Sequence, residues 1–109
     1  MEIGDKVNPY ELGQRSFNPK EIFTFLKHPN HRIVVWSWGA HAWTTHEDKF
    51  LRFMVQGRLF RGHVYITLAW DDTFTLYFTT SRGTVKQIIT DVYIDCLVDI
   101  IDTTVETPR

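Results

Sequence analysis

Three features of the 109-residue chain predict an α+β domain: a capped helix near the N-terminus, a middle region of alternating segments, and a C-terminal stretch whose acidic residues share one helical face. The expected architecture is a short N-terminal helix, a four-stranded antiparallel meander, and a C-terminal helix packed on one face of the sheet. Residues 1–17 mix Gly4, Pro9, Gly13 and scattered charges without a period and read as an extended or partly ordered arm. Residues 18–109 form the single domain.

The first helix carries its own boundaries. Asn18 suits the N-cap, Pro19 the first helical position, and Glu21 the third, where its side chain can return a hydrogen bond to the cap. Ile22, Phe23 and Leu26 share a face and Pro29 stops the helix, which is placed from about Pro19 to Lys27. From Arg32 the period changes to two. Ile33 to Trp38, rich in β-branched and aromatic residues, reads as strand one, and Lys49 to Val55 as strand two.

Gly57 to Gly62 reads as a hairpin loop into a third strand, His63 to Trp70. Asp71-Asp72 makes a tight turn into a fourth, Thr73 to Thr80, which ends at Ser81-Arg82-Gly83. Val85 to Ile89 fits a short edge strand or a helical lead-in equally well. Asp91, Asp95, Asp99, Asp102 and Glu106 fall within about an 80° arc of a helical wheel, which favours a C-terminal helix capped by Asp91.

Composition sets outer limits. The length suits one domain, since single domains typically run about 100 to 150 residues. An apolar fraction of 43% against 23% charged residues excludes a disordered chain. The net charge of −1 supplies no global field to draw the protein onto nucleic acid or an anionic membrane. The charge is uneven, with Lys and Arg in excess up to residue 70 and Asp and Glu in excess after it. A single cysteine, Cys96, forbids an internal disulfide and reads as a buried, inert thiol, which points to a reducing, cytoplasmic setting. No apolar run approaches the roughly 20 residues a membrane helix needs, and the first residues contain no secretory h-region.

Function is sought first between Arg32 and His46, which hold three of the four tryptophans and two of the five histidines. The apolar parity of the strands (Leu51, Phe53, Val55; Val64, Ile66, Leu68; Phe74, Leu76, Phe78) should be the covered face. The other parity then forms an aromatic-rich open face made of Phe50, Arg52, Met54, His63, Tyr65 and Tyr77, joined by Trp36 and Trp38 if strand one points those residues outward. With His41 and Trp43 at the adjoining corner, these residues are the candidate interaction surface, because large apolar patches are seldom left in water. The expected partner is a second copy or another protein. Folding of the arm over this face is the competing, purely structural account.

The same face, with Arg32, Arg52, Arg58 and Arg61, offers a second reading as a single-stranded nucleic-acid platform, since bases stack on rings while phosphates seek cations. A His-dependent metalloenzyme is a third reading. It has little support, because His28 and His31 are three apart, His41 and His46 five apart, and structural zinc takes four ligands. Ser37 with His41 or His46, or Glu47 with Asp48, could be drawn as a catalytic pair, but no nucleophile elbow, phosphate loop or metal-helix motif supports it. No catalytic residue, metal ligand or cofactor is assigned.

Trp36-Ser-Trp-Gly-Ala-His-Ala-Trp43, Gly62-His-Val-Tyr-Ile66 and Thr79-Thr-Ser-Arg-Gly83 resemble segments of small bacterial and mobile-element proteins of unknown function. The resemblance spans most of the chain and implies a non-catalytic accessory or interaction role without implying a role for any residue.

Overall fold

The computed structural model describes residues 2–8, 15–29, 31–46 and 48–106. In chain order the elements are α1 (Pro19–Leu26), α2 (Arg32–Ser37), β1 (His41–Thr45), β2 (Leu51–Gln56), β3 (Arg61–Leu68), β4 (Phe74–Thr79), β5 (Val85–Val92) and α3 (Leu97–Val105), the last entered through a 3-10 turn at Ile94–Cys96. The strands form one antiparallel sheet in the order β1-β2-β3-β4-β5. The architecture is therefore α+β, with five strands where four were expected. No helix among the described residues is long and apolar enough to cross a membrane.

Helix α1 begins where its cap predicts. The Asn18 side chain accepts a hydrogen bond from the Lys20 amide at 3.0 Å, Pro19 fills the first position, and Ile22 and Leu26 are buried. Leu51, Phe53 and Val55 of β2, Val64 and Ile66 of β3, and Phe74, Leu76 and Phe78 of β4 form one core with Ile22, Leu26, Val35, Trp38 and the buried face of α3. All three helices thus contribute to the same side of the sheet.

The segment expected as strand one is the main correction. Residues 32–37 are helical, and the first strand lies at His41–Thr45, in what was read as a corner. Local β-propensity favours a strand across Ile33, Val34 and Val35, but burial decides otherwise, because Val35 and Trp38, three apart, are both buried while Trp36 between them is 81% exposed. A strand would put Trp36 and Trp38 on the same face; a helix separates them. Gly39, at φ +65°, then turns the chain out of α2, its amide donating to the Trp36 carbonyl at 3.0 Å.

The second correction concerns residues 85–92. They form a full strand, and Asp91 is part of it rather than the cap of a helix. Val92 pairs with Phe74 and Ile89 with Leu76, so one extra residue bulges between them and Asp91 takes φ +59°, a left-handed conformation that Asp tolerates better than most residues. The bulge breaks the alternation, which is why this strand carries no clear period in sequence. Helix α3 is accordingly shorter than expected. Leu97, Val98, Ile101 and Val105 are buried, whereas Tyr93 and Ile94 ahead of it are exposed. Cys96 is exposed too, so the thiol is not the buried one that was expected.

The described part of the arm is tied to the sheet. Gly4 donates to the Val85 carbonyl and Val85 to the Asp5 carbonyl, both at 2.8 Å, while Val7 donates to the Gly83 carbonyl at 2.7 Å. This covers the outer edge of β5 at its start. Farther along, the Arg15 amide donates to the Leu68 carbonyl and its guanidinium pairs with Asp72.

Candidate functional site

The sequence-predicted residues separate into three environments. Trp38 is fully buried, with its ring 6.4 Å from Phe53 and its Nε1 donating to Asp102 Oδ1 at 2.9 Å, and so belongs to the core. Phe50 and Tyr65 are each 2% exposed and form a small second cluster on the opposite face, with Tyr77 and Val7 of the arm packed against them. Their rings meet edge-to-face at 5.3 Å. The face expected to be open is thus partly covered by the protein's own N-terminal residues, and two of the rings a base would stack on are inside. Arg58 and Arg61 are exposed near the β2–β3 loop, with the Arg58 guanidinium 3.7 Å from Glu106. Arg32 lies in α2, and its side chain falls outside the described residues.

The third environment surrounds β1. His41, Ala42, Thr44 and Thr45 are exposed and Trp43 is half-buried, its ring stacked 4.5 Å from Phe53 and edge-on to Phe23 at 4.9 Å. The Lys27 ammonium caps this aromatic pair, 5.5 Å from the Phe23 ring and 5.4 Å from the Trp43 ring. A hollow of about 270 Å³ at the start of the strand is lined by Lys27, Val35, Trp36, Gly39 and Ala40. A second, of about 160 Å³, is formed by Pro19, Lys20, Phe23, Leu51 and residues 43–45. The inner edge of β1 pairs with β2, and among the described residues nothing pairs with its outer edge. No alternation marked this strand in sequence, because Ala42 sits in the left-handed region at φ +57° within a bulge between His41 and Thr44.

Pairing across the strands sets the remaining candidates in two rows on the face opposite the helices. One row runs His41, Met54, His63, Thr79; the other runs Thr44, Arg52, Tyr65, Tyr77. Arg52, Met54, His63 and Tyr77 are half-buried. The Arg52 guanidinium lies 5.9 Å from the Tyr65 ring, and its Nε and the Nδ1 of His63 are both shut from water without a hydrogen-bond partner. Burial is the main cause that pushes the His63 pKa down; the Arg52 charge adds to it, the Ser81 backbone opposes it, and His41 contributes a further small lowering. Burial also raises the Tyr77 phenol.

His63 therefore folds preferentially in its neutral form. The unfolded chain takes up a proton near the ordinary value of 6.5, before the folded protein does, so stability is present above that pH and declines as the pH falls below it. A urea-denaturation series from pH 7.5 to 5 is expected to show this decline, and His63→Gln to flatten it; an equal slope in the variant would assign the effect to other groups.

Among the described residues no group of three His, Cys, Asp or Glu side chains is placed to hold a metal ion. The Ser37 hydroxyl donates to the Val34 carbonyl at 2.6 Å, and the His41 Nδ1 lies 2.6 Å from the Gly39 carbonyl. No protein-family model, curated protein or solved structure matches the chain significantly. A functional reading therefore rests on the chain's own geometry.

Proposed function

We propose that the protein is a non-catalytic interaction module that joins protein chains through the β1 edge, and that the occupant of this edge is a second copy of the same chain. The observation that carries this reading is the contrast between the two ends of the sheet. The arm covers the start of β5, whereas β1 is exposed and no described residue pairs with its outer backbone groups. Exposed edges usually carry Lys, Pro or another charge that blocks edge-to-edge pairing, but His41-Ala-Trp-Thr-Thr45 has none of these and is guarded by its bulge alone.

Antiparallel pairing of β1 with its copy is self-complementary about a two-fold axis. The bulge limits regular pairing to Trp43–Thr45, so further contact area must come from beside the strand. Trp36, at 81% the most exposed large apolar side chain among the described residues, stands at the hollow where the strand begins. Enrichment of Trp at interface centres suits it to that role.

Sedimentation velocity from micromolar to millimolar concentration tests the reading. A concentration-dependent dimer is expected. Thr44→Lys, which sets ammonium groups close together across the axis, and Trp36→Ala should each weaken it at least tenfold, about 1.4 kcal/mol. A chain that stays monomeric at millimolar concentration, or a dimer indifferent to both substitutions, overturns it.

A further inference from the structure

A separate feature lies on the sheet face opposite the helices. Arg52 is a half-buried cation, and neither of the side-chain ion pairs formed among the described residues, Arg15 with Asp72 and Arg58 with Glu106, includes it. Its pairing partners on the neighbouring strands are Thr44 and Tyr65, and no carboxylate stands in either row. His63 and His41 occupy the adjoining row on either side of Met54, so three nitrogen-bearing side chains converge on one small area.

Two polar atoms left unsatisfied in the same place call for a physical account. A buried donor or acceptor without a partner is destabilising, more so when the group is charged, and native structures contain few of them. Here two occur in adjacent rows, Arg52 Nε and His63 Nδ1. Arg52 also repels a proton from His63. An oxyanion near both groups would supply the missing acceptor for the guanidinium and reverse the local charge imbalance. A guanidinium forms short, charge-assisted hydrogen bonds with carboxylate and phosphate oxygens.

We infer that Arg52, His63 and His41 form a binding subsite for a compact oxyanion, a carboxylate or a phosphate group carried by a ligand. Arg52 supplies the fixed positive charge, with Tyr65 beneath it holding the guanidinium plane. His63 and His41 each direct one ring nitrogen at a backbone group, Ser81 and Gly39 respectively, and when protonated supply their second ring N–H to the anion from the two sides. Met54, unbranched and with three rotatable bonds, is the side chain that moves to admit the anion to the shielded atoms. The subsite does not depend on the β1 edge being occupied.

Titration of the whole chain with sodium phosphate and, in a parallel arm, sodium acetate, each at constant ionic strength and pH, tests the inference by NMR of the histidine ring carbons and the Arg52 Nε–H. The expected result is a saturable shift at His63 and Arg52 in the millimolar range with at least one anion, and the arm that saturates first names the preferred oxyanion. Arg52→Gln should weaken binding at least tenfold, and Arg52→Lys, which retains the charge, should weaken it less. Trp36→Ala should leave the titration unchanged while disturbing dimerisation, which separates failure here from failure of the edge-pairing proposal. Shifts that rise linearly without saturation in both arms overturn the inference, as does a saturable shift that survives intact in a folded Arg52→Gln protein.

Discussion

Trp38→Ala is expected to lower stability by about 3–5 kcal/mol, the range measured for removing a fully buried large aromatic side chain. The ring has no exposed surface, stacks near Phe53, and belongs to the cluster that joins α1, α2, the sheet and α3. Its Nε1 donates to Asp102, a side-chain hydrogen bond from the end of α2 to α3. Truncation therefore opens a cavity and also removes a donor from a half-buried carboxylate. Trp38→Phe separates the two losses, since it keeps most of the ring and gives up the N–H, and should cost roughly 1–3 kcal/mol. Urea denaturation at low temperature is the suitable measurement, because a domain of this size loses about 4–8 °C of melting temperature per kcal/mol and the alanine variant will melt early. A loss below 1 kcal/mol for Trp38→Ala would mean that α2 does not dock on α3 as described. The same substitution distinguishes core from surface: on a solvent-facing strand it would change association and leave stability nearly untouched.

Trp38 also shows what could and could not be read before the structure. Strands β2, β3 and β4 were legible because each has an uninterrupted period of two with the apolar set on one side, and burial of that set is sufficient to fix their facing. The segment 33–38 misleads because propensity and period disagree there. Ile33, Val34 and Val35 favour a strand, whereas the spacing of Val35 and Trp38 and a glycine directly after them describe a one-and-a-half-turn helix with a C′ glycine. Strands β1 and β5 were obscured for a shared reason: each contains a bulge with a non-glycine residue in the left-handed region, Ala42 and Asp91, and a bulge shifts the alternation by one.

The candidate sites divide along the same line. Arg52, Met54 and His63 were legible as neighbours on the face away from the helices, since that follows from parity alone. That no described carboxylate pairs with Arg52 was not legible, because it depends on which of many carboxylates the fold brings near. The burial of Phe50 and Tyr65 beneath Val7 was hidden as well, because an arm without periodicity gives no sign of where it lies. Only the exposure of Trp36 beside an edge strand that no other described residue pairs with turns the tryptophan-rich stretch from a compositional oddity into the proposed docking surface.

Gly57→Ala should be destabilising by about 3 kcal/mol, at the upper end of the range for overpacking, although a glycine in a loop would ordinarily tolerate alanine at little cost. The reason is a close approach. A methyl group at this position would stand 2.3 Å from both the Val105 carbonyl oxygen and its Cγ1, and 2.8 Å from the carbonyl carbon. The Val105 side chain is fully buried and its carbonyl already accepts a hydrogen bond from the Leu59 amide at 2.8 Å, so neither can give way without moving the end of α3. The Glu106 carboxylate, next in the chain, accepts from the Arg58 amide at 2.9 Å, which fixes the same loop to the same helix end a second time. Conformational strain is not the issue here, since this glycine has no left-handed φ to be lost. Glu106→Gln, which keeps an acceptor for that amide, should cost well under 1 kcal/mol, as expected for a surface ion pair. If Gly57→Ala is instead neutral in denaturant, α3 must slide along the sheet freely enough to admit a methyl group. Its packing through Ile101 and Trp38 would then be looser than these contacts require, and the stability loss at Trp38→Ala should be correspondingly small.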